Sequence, residues 1–251
     1  MSLADKFTAL ARALTENSYH YVSAVIAAGG SGSRMQSGTT KQFMELDGKP
    51  VIINTLLAFD KSEYIDEIVI VAKEDEVAMY PHLIKKYGLK KVTKVVSGSD
   101  TRQKSVLNGL SAISDKADFI AIHDGARPLI TGEQIKKVVL NAFEFRAAAA
   151  ASKSKDTPKL VSNNGFIEKG VDRDTLWLMQ TPQIFSANLY RAAAYTAIES
   201  GYEATDDCAL AERAGFPVKV VDCGYENIKI TTPEDLKFAE LILSERKKQD
   251  E

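Results

Sequence analysis

The feature that most constrains the fold of this chain is an alternation between short apolar runs and stretches in which apolar residues recur every three or four positions. Strands that are apolar throughout must be covered on both faces, so the pattern favours an α/β fold with a mostly parallel sheet and helices on both faces. In such sheets, ligands bind beyond the carboxyl ends of the strands. Strands are predicted over residues 22–28, 67–72, 92–96, 119–123, 147–151 and 218–221, and helices over residues 51–59, 75–87, 102–113, 132–145, 187–199, 206–214 and 233–245.

The composition narrows the functional classes. The 251 residues carry 32 Lys and Arg against 34 Asp and Glu, and this formal net charge of −2 provides no global field for binding nucleic acid. The two cysteines have no paired spacing, which favours a reduced, cytoplasmic protein. Residues 1–20 lack the pattern of a secretory signal, and we expect no membrane span. We expect a helical N-terminal extension over residues 1–20 and a single domain over residues 21–251.

The strongest local feature is a loop of small residues after the first predicted strand. Gly29, Gly30 and Gly32 allow an anion to approach the backbone N–H groups closely, and Arg34 and Lys41 follow. The loop lacks the third glycine of the dinucleotide fingerprint, where it has methionine, and it lacks the Gly-Lys pair of a P-loop. It therefore predicts phosphate binding of another kind, with a plain glycine-rich turn as the alternative.

A second feature is a carboxylate at the end of the fourth predicted strand. The segment FIAIHDGARP places Asp124 at the carboxyl edge of the sheet. Mg²⁺ binds through one or two carboxylates together with phosphate oxygens, so Asp124 is a candidate metal ligand. The alternative is an aspartate that caps the next turn. His123 is interpreted as structural, because the three histidines have no zinc spacing.

Two further segments carry polar groups close to predicted strands. In SGSDTRQKS, Arg102 and Ser105 lie three residues apart on one face of the following helix, and Asp100 is the expected helix cap. In NIKITTPEDL, strand alternation would turn Lys229 away from its isoleucine neighbours. The structural alternatives are an ordinary helix start and an exposed strand lysine.

Residues 158–171 interrupt the alternation of strands and helices. Two short alternating pieces flank Asn163, Asn164 and Gly165, and Asn-Gly is a strong signal for a β-hairpin. A lone hairpin is marginally stable in water. Its apolar residues must therefore pack either against the body of the subunit or against a partner chain.

These segments, in this order and joined by VDRDTLWLMQTPQIF and ATDDCALAE, resemble the 2-C-methyl-D-erythritol 4-phosphate cytidylyltransferase family of non-mevalonate isoprenoid synthesis. The resemblance covers about residues 22–243. It implies a single Rossmann-like domain with a protruding β-hairpin arm at about residues 152–175, and a homodimer in which the arm of one subunit completes the site of the other. The implied reaction is the Mg²⁺-dependent transfer of CMP from CTP to the polyol phosphate, which releases pyrophosphate.

The resemblance also implies roles for individual residues. The catalytic groups would be Arg34, Lys41 and Lys229, and Asp124 would hold the metal. The nucleotide would contact Ala27, Ala28, Gly29, Gly30, Gly32, Ser99, Asp100, Ser105, Asp124 and Ala126. The polyol phosphate would contact Thr157, Arg173, Thr181 and Lys229. Thr157 and Arg173 lie on or beside the arm and would act across the dimer interface.

Three positions depart from the pattern of this family. Thr40 stands where proline is usual, Ser99 where glycine is usual and Asp207 where glutamate is usual. None of these changes removes a charged group from the predicted site. The nearest alternative activity is that of a ribitol 5-phosphate cytidylyltransferase, which has the same loop chemistry. A nicotinamide-dependent oxidoreductase and a non-catalytic nucleotide-binding module are alternatives from other classes.

Overall fold

The computed structural model describes residues 19–30 and 40–250. The predicted N-terminal helix, Gly32 and Arg34 lie outside the described residues. The strands are β1 (Val22–Ala27), β2 (Glu45–Leu46), β3 (Lys49–Pro50), β4 (Glu67–Ala72), β5 (Val92–Ser97), β6 (Phe119–Asp124), β7 (Ala147–Lys153), β8 (Lys159–Val161), β9 (Ile167–Gly170), β10 (Trp177–Ser186) and β11 (Lys219–Asp222). The α-helices are α1 (Val51–Lys61), α2 (Tyr80–Tyr87), α3 (Arg102–Ala112), α4 (Gly132–Phe145), α5 (Ala187–Glu199), α6 (Asp207–Arg213) and α7 (Pro233–Asp250).

Seven strands of the described chain form a central sheet in the order β11-β7-β10-β6-β1-β4-β5. Six of them run in the same direction, while β10 runs antiparallel to both neighbours, β6 and β7. This arrangement confirms the predicted α/β fold with a mostly parallel sheet.

Apolar side chains cover both faces of the sheet, as the apolar strands required. On one face, Ile26 and Ile70 pack in a buried cluster with helix residues such as Leu56 of α1. On the other face, Val25 packs in a second cluster with helix residues such as Val106 of α3. Successive residues of β1 thus contribute to opposite faces, which explains why the strand sequence contains almost no polar residues.

Strand β10 was not predicted from the sequence. This strand is long, but its pairing with β7 shifts register between Met179 and Gln183, and Pro182 lies inside the irregularity. Proline is tolerated within sheets at such bulges because it cannot donate to the strand ladder. Because of the proline in its TPQ sequence, this strand was not recognised, although it places the buried Thr181 next to Asp124.

The predicted helix over residues 75–87 was wrong in its first half. Residues Glu74–Met79 form a 3₁₀ helix, and the α-helix α2 begins at Tyr80. Pro81 lies in the first turn of α2, where its missing N–H group is tolerated. A continuous α-helix would have needed that N–H group as a donor, so the helix divides in front of the proline.

The register of the sheet brings the predicted site residues to one edge. Ala27, at the end of β1, pairs with Asp124 at the end of β6 and with Val71 of β4 on the other side. The glycine loop and the Asp124 carboxylate consequently leave the sheet at the same level, beyond its carboxyl edge.

The predicted hairpin is present as a separate two-stranded sheet of β8 and β9. Its turn contains Gly165, which has a φ of 84° that favours glycine. Its large apolar side chains are largely exposed: Leu160, Val161, Phe166 and Ile167. The body of the subunit therefore leaves the apolar side chains of this arm uncovered.

Among the described helices, none combines the length and apolar character needed to cross a membrane.

Candidate active site

A cleft of about 370 Å³ opens at the carboxyl edge of the sheet, beyond β1, β5 and β6. It brings together most of the predicted site residues: Ala27, Gly29, Gly30, Lys41, Ser99, Asp100, Ser105, Asp124, Ala126 and Lys229. The remaining lining residues, which the sequence analysis did not assign to the site, are Gln42, Thr101 and Arg102.

The glycine loop forms one wall of the cleft. The backbone of Gly29 lies against the end of β4, since a Cβ atom there would be 3.7 Å from the carbonyl carbon of Ala72. At Gly30, a Cβ atom would lie 3.9 Å from Nζ of Lys41, so the lysine follows the loop closely. The side-chain amide of Gln42 donates to the carbonyl groups of Ala28 and Gly30 and holds the described part of the loop in place. Ala28 itself is buried beneath this wall.

Asp124 lies at the opposite wall with three cations around its carboxylate. Nζ of Lys229 is 2.8 Å from Oδ2, Nε of Arg127 is 3.7 Å from Oδ2, and Nε of Arg102 is 3.3 Å from Oδ1. Burial by itself would raise the pKa of Asp124, but the charges of Arg102, Lys229 and Arg127 hold it below its usual range. Asp124 is therefore a fixed anion surrounded by positive charge.

Lys229 lies in an irregular segment, so its predicted place in a strand was wrong. The predicted alternation nevertheless holds. Ile228 and Ile230 pack in a third apolar cluster, and the N–H group of Ile230 donates to the carbonyl of Ala126. The lysine between them is directed to the opposite side, towards Asp124. A single backbone hydrogen bond to the loop after β6 thus orients this segment, where the pairing of a strand was expected.

Buried polar groups hold Asp124 from behind. The hydroxyl of Thr181 accepts a hydrogen bond from the N–H group of Asp124 at 3.0 Å and lies 3.0 Å from Nδ1 of His123. Nε2 of His123 is 3.2 Å from the carbonyl oxygen of Arg127, which can only accept, so Nε2 carries the proton and Nδ1 accepts from Thr181. Burial lowers the pKa of His123 to about 3, and the ring is neutral. The structural interpretation of His123 fits this geometry, whereas Thr181 does not line the cleft.

The turn after β5 forms the third wall. The helix cap is Thr101, which accepts from the N–H group of Lys104, so the prediction that Asp100 caps this helix was wrong. Asp100 instead lines the cleft, and its carboxylate accepts from Nζ of Lys104 at 2.7 Å and from the hydroxyl of Ser99 at 2.9 Å. The Ser105 hydroxyl accepts from the N–H group of Ser99 at 2.8 Å and fixes the turn.

Two predicted residues of the arm lie outside the cleft of their own subunit. Thr157 and Arg173 are exposed and do not line it.

Two arginines beside Asp124, Arg102 and Arg127, were not predicted as residues of the site. Arg127 follows Asp124 by three residues at a strand end, a spacing that could have indicated it. Arg102 was noted only for its helix face, because its partners are distant in sequence.

The residues of the cleft fit a divalent metal in a limited way. Asp124 is ionised and lines the cleft, but no group of three or more His, Cys, Asp or Glu side chains suited to a metal occurs among the described residues. Mg²⁺ commonly binds through one carboxylate, substrate phosphates and water. Asp124 fits that kind of site, in which the substrate supplies most of the ligands.

A glycine wall and several cations around a buried carboxylate suit a polyanionic nucleotide, and together with the doubly covered sheet they are typical of a nucleotide-binding α/β enzyme such as a nucleotidyltransferase. Comparison with known proteins identifies the family. The chain belongs to the 2-C-methyl-D-erythritol 4-phosphate cytidylyltransferase family, whose model matches residues 22–245.

Individual relatives and solved structures agree with this membership. The chain is 42% identical over 223 residues to 2-C-methyl-D-erythritol 4-phosphate cytidylyltransferase of Geobacillus kaustophilus, which covers 89% of this chain and 97% of the relative. It is 44% identical to the enzyme of the same name from Caldanaerobacter subterraneus, over 88% of this chain and 98% of the relative. The 4-diphosphocytidyl-2C-methyl-D-erythritol synthase structure from Anaerococcus prevotii superposes with a TM-score of 0.80 at 33% identity, covering 90% and 99% of the two chains.

Proposed function

We propose that this chain transfers CMP from CTP to 2-C-methyl-D-erythritol 4-phosphate, a step of non-mevalonate isoprenoid biosynthesis. The products are 4-diphosphocytidyl-2-C-methyl-D-erythritol and pyrophosphate. The observation that carries the proposal is the cleft in which Arg102, Arg127 and Lys229 surround Asp124, across from the glycine wall and Lys41. Family membership supplies the identity of the two substrates.

The reaction needs alignment and charge neutralisation more than it needs proton transfer. An oxygen of the polyol phosphate forms a bond to the α-phosphorus of CTP, and the bond from that phosphorus to the departing pyrophosphate oxygen breaks. Because the attacking phosphate is already anionic, no strong general base is required. The protein has to hold two anions against each other and stabilise the charge that develops on the leaving group.

The cations of the cleft divide this task in our proposal. Lys41, beside the glycine wall, and Arg34 contact the triphosphate and stabilise the leaving pyrophosphate. Lys229 binds the polyol phosphate and aligns it for attack. Its ammonium group lies 2.8 Å from Oδ2 of Asp124, and the Lys229 side chain is 37% exposed. The lysine is therefore anchored on one side and accessible on the other. Such a group can contact a second anion without leaving its partner.

Mg²⁺ held by Asp124 would supply further positive charge to the phosphates. The turn of Ser99, Asp100 and Ser105 would contact the cytosine and ribose. The hydrogen bonds that fix this turn support that assignment, because a base-recognition surface has to be held in one conformation.

We further propose a cytoplasmic homodimer in which the arm completes the site of the partner subunit. The arm carries Thr157 and Arg173, and its apolar residues are uncovered by the body of its own subunit, with Phe166 74% exposed. A hairpin of this kind gains stability when a second chain buries it. The cysteines Cys208 and Cys223 are both buried and unpaired, which is compatible with a reducing compartment.

The dimer is tested with a matched pair of exposed phenylalanines. Phe166→Ser lies on the arm, and Phe238→Ser lies on α7, where the side chain is 60% exposed. We expect Phe166→Ser to weaken dimerisation by about tenfold or more in sedimentation equilibrium, since burial of an aromatic side chain dominates many interfaces. The control should sediment like the wild type. Equal sedimentation of all three proteins would contradict an interface on the arm.

The activity is tested by incubating the purified protein with CTP, MgCl₂ and 2-C-methyl-D-erythritol 4-phosphate, while pyrophosphate release and the cytidylylated product are followed. Parallel reactions contain ribitol 5-phosphate, or no polyol phosphate. We expect product with methylerythritol phosphate at a kcat/KM well above that with ribitol phosphate. A preference for ribitol phosphate would give the chain the alternative substrate, and CTP binding without turnover would make it a binding module.

A further inference from the structure

A second carboxylate lies behind the cleft, on the far side of Arg102. Asp207 is the first residue of α6, and the whole residue is 1% exposed. Its Oδ2 atom is 2.8 Å from Nη1 of Arg102, while Nε of the same guanidinium is 3.3 Å from Oδ1 of Asp124. Arg102 therefore bridges two carboxylates, one that lines the cleft and one that does not.

Asp207 is itself held from two other elements. The hydroxyl of Tyr190, from α5, donates to its Oδ1 atom at 2.7 Å. Its backbone N–H group donates to the side-chain carbonyl of Gln183, from β10, at 3.0 Å. The Tyr190 side chain is buried, so the carboxylate has little freedom to follow the guanidinium if the guanidinium moves. Asp207 is thus a fixed point, and Arg102 is the group that it orients.

The guanidinium geometry explains why this orientation is transmitted to the cleft. A planar guanidinium that uses Nη1 for Asp207 and Nε for Asp124 can satisfy both contacts in a narrow range of orientations. Burial by itself would lower the pKa of Arg102, but Asp207 and then Asp124 raise it above the usual value, so the charge is permanent. The Oδ1 atom of Asp124 is consequently fixed from the Arg102 side, which leaves Oδ2 to Lys229 and Arg127.

We propose that Asp207, supported by Tyr190, is a positioning residue for cytidylyl transfer, which acts by holding Arg102 in the orientation that fixes Asp124. This inference rests on the proposed function, because the reaction is its main readout. Asp207 touches no substrate. Its removal releases Arg102, which then either collapses onto Asp124 alone or turns into the cleft, and both rearrangements misalign the phosphates.

The test is a kinetic comparison of Asp207→Asn, Asp207→Glu and Leu210→Ala with the wild type. We expect Asp207→Asn to lower kcat by about tenfold to a hundredfold, as loss of the partner that orients a site residue commonly does, with KM for CTP changed by less than about threefold. Asp207→Glu keeps the charge and should recover most of the lost turnover. Leu210→Ala removes a buried apolar side chain of the same helix, so it lowers the stability of the fold while Asp207 and Arg102 both remain. It should lower Tm and leave kcat almost unchanged.

A double-mutant cycle separates positioning from general destabilisation. In an Arg102→Met background, Asp207→Asn should cause no further loss of kcat, because the group through which it acts is absent. Multiplicative losses, or an Asp207→Asn enzyme with wild-type kcat, would overturn the proposal.

A crystal structure of Asp207→Asn gives a readout that does not depend on activity. We expect the contact between Arg102 and Asp124 to change, and an unchanged contact would overturn the proposal whatever the substrate is. If the wild type fails to turn over CTP with methylerythritol phosphate, the proposed function fails, while this structural comparison still decides the positioning role.

Discussion

The cleft and the arm are built on opposite principles. In the cleft, Asp124 is held by three cations and by a buried hydroxyl, all from the same chain. In the arm, four large apolar side chains are exposed, and Thr157 and Arg173 have no part in the cleft of their own subunit. Charge alignment is thus prepared within one chain, whereas in the proposed dimer closure of the site depends on a second chain.

The largest expected effect comes from removing a cation on the glycine wall. Lys41→Ala should fold normally and lower kcat by about a hundredfold or more, comparable to the loss of one preorganised transition-state donor. Arg34→Ala should behave in the same way. Steady-state pyrophosphate release measures kcat, and circular dichroism checks the fold. Lys49→Ala, which removes a lysine from the neighbouring strand β3, is the control and should retain wild-type kcat. Unchanged turnover in Lys41→Ala would contradict the placement of the triphosphate at this wall.

The sequence predicted the scaffold of the cleft better than its electrostatics. The position of β6, and with it the place of Asp124 at the end of the strand, could be predicted because a strand buried on both faces has a continuous apolar sequence. The contacts of Arg102 left no such pattern. Its partners are 22 and 105 residues away along the chain, and only folding brings them to one guanidinium. Asp207 was noticed merely as a departure from the family pattern, without a role.

The second prediction joins the two regions. Co-expression of Lys41→Ala with Arg173→Ala should produce a heterodimer in which one site has an intact Lys41 and receives the intact arm of the other subunit. With random pairing, activity should return to about a quarter of the wild-type value, because half of the dimers are mixed and each has one complete site. Differently tagged subunits identify the heterodimer during purification. A purified heterodimer without activity would show that each subunit uses its own arm.

A smaller effect is expected at Lys229, which lies between Asp124 and the space assigned to the polyol phosphate. Lys229→Ala should raise KM for methylerythritol phosphate by about tenfold, the cost of losing roughly one charge-assisted contact, while the Kd for CTP changes little. Titration calorimetry with CTP and initial-rate kinetics provide the two values. Arg173→Ala should show the same separation. A collapse of CTP affinity instead would mean that the two phosphate pockets have been exchanged.

The smallest effect concerns stability, and it tests how dry the support of Asp124 is. Burial lowers the pKa of His123 to about 3 from 6.5, so the unfolded chain binds a proton between these values that the folded chain excludes. The free energy of unfolding contributed by this group is therefore complete above pH 6.5 and falls as the solution becomes more acidic, by up to about 1.4 kcal/mol per pH unit. Urea unfolding of the wild type and of His123→Gln at pH 7, 6 and 5 isolates this contribution, because the other ionisable groups are common to both proteins. We expect the stability of the variant to fall less steeply with acidification, and equal slopes would mean that water enters behind Asp124. The arm, with its apolar residues in solvent, offers no comparable buried titratable group, so the difference in slope between the two proteins should report on the cleft and leave dimerisation as the separate measure of the arm.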